Sequence, residues 1–219
     1  MFHSMPRIIT IDGPAGSGKT TVSKILAQHL GWVYVDTGAL YRGLAFEVKS
    51  SGVDYNDDFL LSKLLATICL ELVVEEKELR LLSSGRDITH KIRTPEISML
   101  ASTLSAKPQV RAALLGMQRA IAEKDNAVFE GRDMGTVVFP LADHKFFLSA
   151  DLAVRALRRY NENKGQPLDD VEKEMSKRDR NDSERKEAPL RPADDAVMID
   201  STNLTLKEVV DRMIGKIGK

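Results

Sequence analysis

The run GPAGSGKT, from Gly13 through Pro14, Ala15, Gly16, Ser17, Gly18 and Lys19 to Thr20, sets Gly13 and Gly18, with four residues between them, ahead of a lysine and a hydroxyl, and Thr21 follows. This spacing suits the grip of a polyphosphate. Glycines let the main chain curl until successive N–H groups point inward at phosphate oxygens, and a helix starting at the lysine adds its positive end. Lys19 is then placed to reach the β and γ phosphates, and the Thr20 hydroxyl to bind Mg2+ alongside them. The apolar run IITID before the loop and the periodic Val22, Ile25, Leu26 and Leu30 after it supply the strand and the helix that such a loop needs. The reading is a nucleoside triphosphate site.

Arginine is the second chemical signal. Arg42, Arg111, Arg132, Arg178 and Arg185 stand in or beside glycine, aspartate or helix-start residues, while Arg155, Arg158 and Arg159 lie in a highly charged stretch from Asp151 to Pro192. Guanidinium forks pair two-pronged with phosphate, and moving a phosphoryl group onto a second anion needs several of them to offset repulsion. That favours a kinase whose acceptor is itself phosphorylated. For the residues of 151–192 a solvated helix face held by Asp and Glu pairs is the plainer alternative. A guanine-nucleotide switch is disfavoured because NKGQ at Asn163 lacks the aspartate of an Asn-Lys-x-Asp element, and no serine-glycine-glycine signature of a transport motor is present.

The elements that must position these groups read as α/β. Short apolar runs over 7–12, 32–36, 127–130, 145–149 and 196–200 alternate with helical periodicity, the pattern of a parallel sheet with crossover helices. Pro108 opens a helix expected to run to Lys124. Residues 70–92 break the rhythm, since LELVVEE and ELRLLSS alternate like a hairpin around KE, and NKGQP interrupts two helices within 151–192. With 219 residues there is room for one substantial core with insertions.

Composition narrows the partners. Lys plus Arg and Asp plus Glu number 32 each, so no overall basic field draws the chain to nucleic acid or an anionic membrane. No stretch approaches the roughly 20 apolar residues of a membrane span, and MFHSMPR lacks the apolar segment of a secretory signal. The lone Cys69 rules out an intrachain disulfide, fits a reducing compartment, and is expected as a small core residue. The expected location is the cytoplasm.

The motifs IDGPAGSGKTT, DTGALYR, IRTPEISMLASTLSAKPQVR, FEGRDMGTVVFP, RDRNDSERKEAPL and ADDAVMIDST, in this order, resemble the bacterial cytidylate kinases, P-loop nucleoside monophosphate kinases. The likeness runs from Ile8 to about Leu206. It departs little: family members often carry Ser or Gly at the position of Thr20 and Ser at that of Thr37, which keeps most of the hydroxyl chemistry. The resemblance implies a P-loop parallel sheet flanked by helices, with an inserted subdomain holding a small antiparallel sheet, and a helical lid. Its divisions would be core at 1–61, CMP-binding insert at 62–110, core at 111–150, lid at 151–187 and core at 188–219. It implies transfer of the γ-phosphoryl group of ATP, bound with Mg2+, to CMP or dCMP, by a monomer without nucleic acid or membrane partners. Lys19, Arg132, Arg178 and Arg185 would be catalytic.

Carried over by residue, the resemblance has Arg42, Arg132 and Arg185 holding the CMP phosphate with Thr37 near it, and Arg178 and Asp182 at the ribose. Ser102, Arg111 and Asp133 would read cytosine, and Arg155, Arg158 and Arg159 would be lid residues. The chemistry of the base contact is sound: cytosine offers an amine donor beside two acceptors, so a carboxylate plus a guanidinium complements it, whereas the uracil oxygen would face Asp133. Plainer roles stay open for several residues. Asp133 could cap a helix or pair with Arg132, Arg111 could lie on a helix surface, Thr37 could cap a helix from Ala39, and Asp36 could orient metal-bound water or fix a turn. A phosphate acceptor, largely ionised at neutral pH, needs no strong general base, so the four histidines are expected to stand aside. A P-loop kinase for another small acceptor and a non-catalytic nucleotide-dependent module remain the rival readings.

Overall fold

The computed structural model describes residues 6–75, 78–162 and 164–218. Glu76 and Lys77 of the expected hairpin turn, Asn163 of NKGQP and the first five residues of MFHSMPR lie outside them. In chain order the elements are β1 (Ile8–Asp12), α1 (Lys19–Leu30), β2 (Val33–Asp36), α2 (Thr37–Ser51), α3 (Asp58–Leu65), β3 (Leu70–Glu75), β4 (Glu78–Ser83) and β5 (Arg86–Asp87). They continue with α4 (Pro95–Leu104), α5 (Pro108–Ala122), β6 (Ala127–Gly131), a π-helical turn (Met134–Val138), β7 (His144–Ser149), α6 (Leu152–Glu162), α7 (Leu168–Glu184), β8 (Val197–Asp200) and α8 (Leu206–Ile217). The expected strands of the large sheet fall within a residue or so of the observed ones. None of the described helices is long and apolar enough to cross a membrane.

The chain divides into two compact units, residues 1–35 with 119–219, and residues 36–118. The first holds a five-stranded sheet in the order β2-β6-β1-β7-β8. β1 pairs in parallel with both β6 and β7, and β7 with β8. Strands buried on both faces read as near-continuous apolar runs, and β1 accordingly buries Ile9 and Ile11 while β6 buries Val128 and Phe129, the polar exceptions being Thr10 and the terminal acids Asp12 and Glu130. Val22 and Leu26 from α1 and Val209, Val210 and Met213 from α8 join Ile9, Ile11, Phe146, Leu148 and Ile199 in one core. The helices are delimited by local chemistry. Gly31 ends α1 in the left-handed conformation, and Thr205 with Glu208 forms a reciprocal capping box at the start of α8.

The second unit packs α2 against α4 and against an antiparallel sheet in the order β3-β4-β5. Leu40, Leu44, Leu61, Leu70, Leu81 and Leu104 are part of its core. Gly43 lets α2 approach this sheet, because a Cβ there would lie 2.5 Å from Leu81 Cδ2. Thr94 caps α4 and Pro95 occupies its first turn, as the TPE spacing suggests. Two expectations are corrected here. Cys69 is exposed: it stands one residue ahead of β3, where the core position is taken by the buried Leu70. The cap of α2 is Asp36, whose carboxylate accepts the Ala39 N–H at 3.0 Å, and Thr37 is already the first helical residue.

Candidate phosphate-binding and phosphoryl-transfer site

β1 stops at Asp12 and the glycine loop begins where the sheet ends, the edge at which parallel sheets bind ligands. Gly13 has φ 148°, and a Cβ on it would lie 2.0 Å from the Leu148 carbonyl oxygen, so no other residue fits without moving β7. Gly16 and Gly18, at φ 73° and 92°, complete the curl. Gly18 stands at the N-cap of α1 without a capping side chain, which leaves the first-turn N–H groups for an anion. Lys19 is 7% exposed, and its ammonium folds back to donate to the Pro14 carbonyl at 2.6 Å and to Ser17 Oγ at 3.4 Å. Burial first, and then the nearby Arg132, push the pKa of Lys19 well below that of a free lysine. An arriving polyphosphate would reverse that strain, because a neighbouring anion favours the charged ammonium.

Two carboxylates at the strand ends, both outside the sequence-derived site, organise this region. Asp12 is buried and accepts the main-chain N–H groups of Met134 and Gly135 at 2.9 and 2.8 Å. Burial raises its pKa from 3.8 to about 6, against the lowering effect of the Gly135 and Met134 bonds. Glu130 is the penultimate residue of β6, and its Oε1 accepts from Thr20 Oγ1 at 2.9 Å and from the Tyr34 hydroxyl at 2.7 Å. Thr21 extends from the exposed side of the first turn. The signal that could have found both acids is their place: an acidic residue at the carboxyl end of an otherwise apolar parallel strand.

Beyond β6 the guanidinium groups are sorted onto carboxylates. Arg132 Nε donates to Asp182 Oδ2 at 2.9 Å, and Arg178 Nε lies 4.0 Å from the same oxygen, so α7 brings the expected Arg178 and Asp182 together. For Arg132, burial lowers the pKa, but the charge and hydrogen bond of Asp182 together with the charges of Asp179 and Glu130 outweigh it, and the net shift is upward. Asp133 pairs with Arg185, at 3.4 Å and with both side chains 3% exposed. It occupies the N-cap position of the π-helical turn but makes no capping bond with its side chain. Such buried pairs hold geometry more than they add stability, since desolvation offsets much of the attraction.

The three arginines of α6 divide. Arg155 is buried: Nε donates to the Ala150 carbonyl at 2.8 Å, and Nη1 donates to Ala15 O at 3.1 Å and to Asp179 Oδ2 at 2.6 Å. Arg158 donates to Ser201 Oγ at 3.1 Å and to Ser201 O at 2.7 Å, and Ser201 Oγ in turn donates to Ser17 O at 3.1 Å. Two of the three thus brace loop carbonyls directly or through one serine. Arg159 fits the solvated-face reading, bonded to Glu162 in the open. Ala156, Val171 and Met175 form a small core of α6 and α7, against which Ala15 packs.

In the second unit, Arg42 donates to Asp36 at 2.7 Å, and Gly38 leaves room for the guanidinium, since a Cβ there would lie 2.9 Å from its Nη1. Burial of Asp36 would raise its pKa, but Arg42 and the Ala39 N–H overcome this and hold it low. Asp36 therefore fixes the turn and holds Arg42. Thr37 and Ser102 are buried, and the Arg111 guanidinium stacks 5.9 Å from the centroid of the Tyr41 ring, which places it off an open helix surface. Among the described residues no three His, Cys, Asp or Glu side chains gather as a metal site.

A parallel sheet with a glycine loop at the end of its first strand, a buried lysine and a hydroxyl opening the next helix, defines a P-loop kinase fold. The same fold is found in a gluconokinase from Sinorhizobium meliloti 1021 (TM-score 0.52, 15% identity, 99% of this chain and 94% of the other). It is also found in a shikimate kinase from Bacteroides thetaiotaomicron (TM-score 0.51, 14% identity, 97% and 99%). Sequence comparison goes further. The cytidylate kinase family profile matches residues 9–219, and the chain belongs to that family. The cytidylate kinase of Geobacter sulfurreducens is 47% identical over 94% of this chain and 90% of its own length. Those of Ligilactobacillus salivarius (45%; 95% and 95%) and Pseudomonas putida (43%; 100% and 98%) are similar over nearly the full length.

Proposed function

We propose that the protein transfers the γ-phosphoryl group of ATP to CMP and dCMP, giving ADP and CDP or dCDP, and so serves pyrimidine nucleotide metabolism. The observation that supports this most is the arginine set. Arg132, Arg178 and Arg185 gather on Asp182 and Asp133 in the unit that carries the phosphate loop, and three guanidinium groups exceed the single arginine finger that serves hydrolysis alone, which fits a second anionic substrate. In this reading residues 13–21 hold ATP through main-chain N–H groups, with Lys19 on the transferring phosphate. Arg42, Arg132 and Arg185 take the phosphate of CMP, Thr37 bonds near it, Arg178 and Asp182 bind the ribose, and Ser102, Arg111 and Asp133 read the base. Residues 62–110 serve as the acceptor-binding insert and 151–187 as the lid, with the rest as core.

Thr20 would hold Mg2+ together with the phosphates of ATP, and Glu130, already bonded to Thr20, would stand behind it. Hydroxyl, carboxylate and phosphate oxygens are the hard donors this ion takes. When bound, the ion neutralises charge on the β and γ phosphates. The chain's own part is positioning and charge. Lys19 and the arginines stabilise the transferring group, and the paired carboxylates keep each guanidinium aimed before substrate arrives. Arg155, tied to Ala15, links lid closure to the shape of the loop. In this reading the protein works as a monomer in the reducing cytoplasm, which the single cysteine fits, and away from nucleic acid and membrane, which the balanced charge fits.

The test is a coupled assay of ADP release with CMP, dCMP, UMP and AMP, run for the native chain and for Asp133→Ala. Rapid turnover with the cytidine nucleotides, and a CMP-to-UMP preference that falls in Asp133→Ala more than ATP affinity does, is the expected result. No CMP-dependent ADP release would overturn the reaction, and equal losses for CMP and UMP would remove Asp133 from base recognition.

A further inference from the structure

Two non-glycine residues among those described have left-handed backbone, Ser84 and Ala188, each with φ 47°. Ser84 is accounted for, since it shares the two-residue turn between β4 and β5 with Gly85, also at positive φ, as tight hairpins require. Ala188 has no such setting. It follows the end of α7 and precedes Pro189, whose ring drives its predecessor toward extended backbone. An alanine held there is strained and persists only where its surroundings fix it.

The surroundings are specific. The Ala188 carbonyl accepts from Arg185 Nε at 2.8 Å, while Arg185 Nη2 faces Asp133 at 3.4 Å. The Leu190 N–H donates to the Asp182 carbonyl at 2.7 Å, and the Asp182 side chain holds Arg132. Residues 182–190 thus form one closed knot. Its main-chain bond fixes its ends, Asp182 turns one guanidinium, and the carbonyl of Ala188 turns the other. In extended backbone, the conformation Pro189 favours, Ala188 would point its carbonyl elsewhere and leave the buried Arg185 Nε without this acceptor.

We propose that Ala188 is a positioning residue, held in a left-handed turn against Pro189 so that its carbonyl aims Arg185 at the acceptor phosphate. The inference rests on the reading that Arg185 binds that phosphate. The turn stores strain that glycine would release with the aim intact, and a side chain that resists the left-handed region would lose that aim.

Ala188→Val is the direct test, because a β-branched side chain resists the left-handed region, whereas Ala188→Gly adopts it without penalty and keeps the carbonyl. Ala188→Val is expected to raise the KM for CMP about three- to tenfold, roughly the loss of one well-aimed hydrogen bond, with the KM for ATP within twofold, while Ala188→Gly melts at or above the native temperature and keeps the KM for CMP within twofold of native. In an Arg185→Met background the valine substitution should leave the KM for CMP unchanged, since residues acting through one another do not add. An unaltered KM for CMP in Ala188→Val, or a melting temperature of Ala188→Gly below that of the native chain, beside an impaired Arg185→Met, overturns the proposal while leaving Arg185 in the site. A full additive effect in the double variant also overturns it. Native CMP kinetics in Arg185→Met itself would remove the underlying reading instead.

Discussion

The glycine loop of residues 13–20 and the arginine–carboxylate group of residues 132–133 and 178–185 are the two regions we propose for holding phosphate, and they use different parts of the chain. The loop relies on main-chain N–H groups and glycines at φ 148°, 73° and 92°, with one side chain, Lys19, closing over it. The second group relies on side chains from two separate segments, each guanidinium aimed by a carboxylate. A main-chain cradle is a local conformation, so eight consecutive residues specify it. A side-chain cradle is an assembly, so it exists only once β6 and α7 are in place.

The comparison can be broken first at its strongest point. Lys19→Met removes the one cation of the loop and should lower kcat on the order of 100- to 1000-fold for every acceptor nucleotide, while circular dichroism reports an intact fold. An acceptor-dependent loss would place Lys19 in the second group instead. Arg132→Met should cost on the order of ten- to a hundredfold in kcat/KM for CMP and leave ATP binding, followed by calorimetry, nearly unchanged. Equal weakening of both substrates would mean that the two regions are one.

Asp12 lies between them, at the foot of the loop and on the N–H groups of Met134 and Gly135 that follow Arg132 and Asp133. Its pKa is about 6 in the folded chain against 3.8 for a free aspartate. Because the folded state holds this proton more tightly, the stabilisation it brings is complete below pH 3.8 and is lost as pH rises through about 6. A displacement of this size corresponds to roughly 3 kcal/mol. Asp12→Asn should therefore flatten the fall in stability between these two pH values, read from urea midpoints. An unchanged slope would assign the titration to other groups. Unlike the two before it, this effect falls on folding stability and not on turnover.

Glu130 shows why legibility differed. In the sequence it is one of many acids, embedded in VFEGRDMG, and nothing near it in the chain marks a partner. Thr20 lies 110 residues away, and the two meet only because β6 is hydrogen-bonded beside β1, with Asp12 opposite Gly131. Asp36 was visible, but its role was open between a metal site and a turn. The Ala39 N–H and Arg42 decide for the turn and its ion pair. Cys69 looked like core because its neighbours are apolar, and the alternation of β3 put Leu70 there instead.

The sequence by itself determined the phosphate loop, the strand and helix on either side of it, and the parallel α/β order, because each depends on backbone preferences and periodicity within about a dozen residues. It also carried the family, through motifs in a fixed order. Which carboxylate holds which arginine was settled in three dimensions: Asp182 took Arg132, Asp133 took Arg185, and Asp179 took Arg155. Ion pairing is settled by distance and burial in three dimensions, and the chain sets those distances only after the sheet has brought its distant segments side by side.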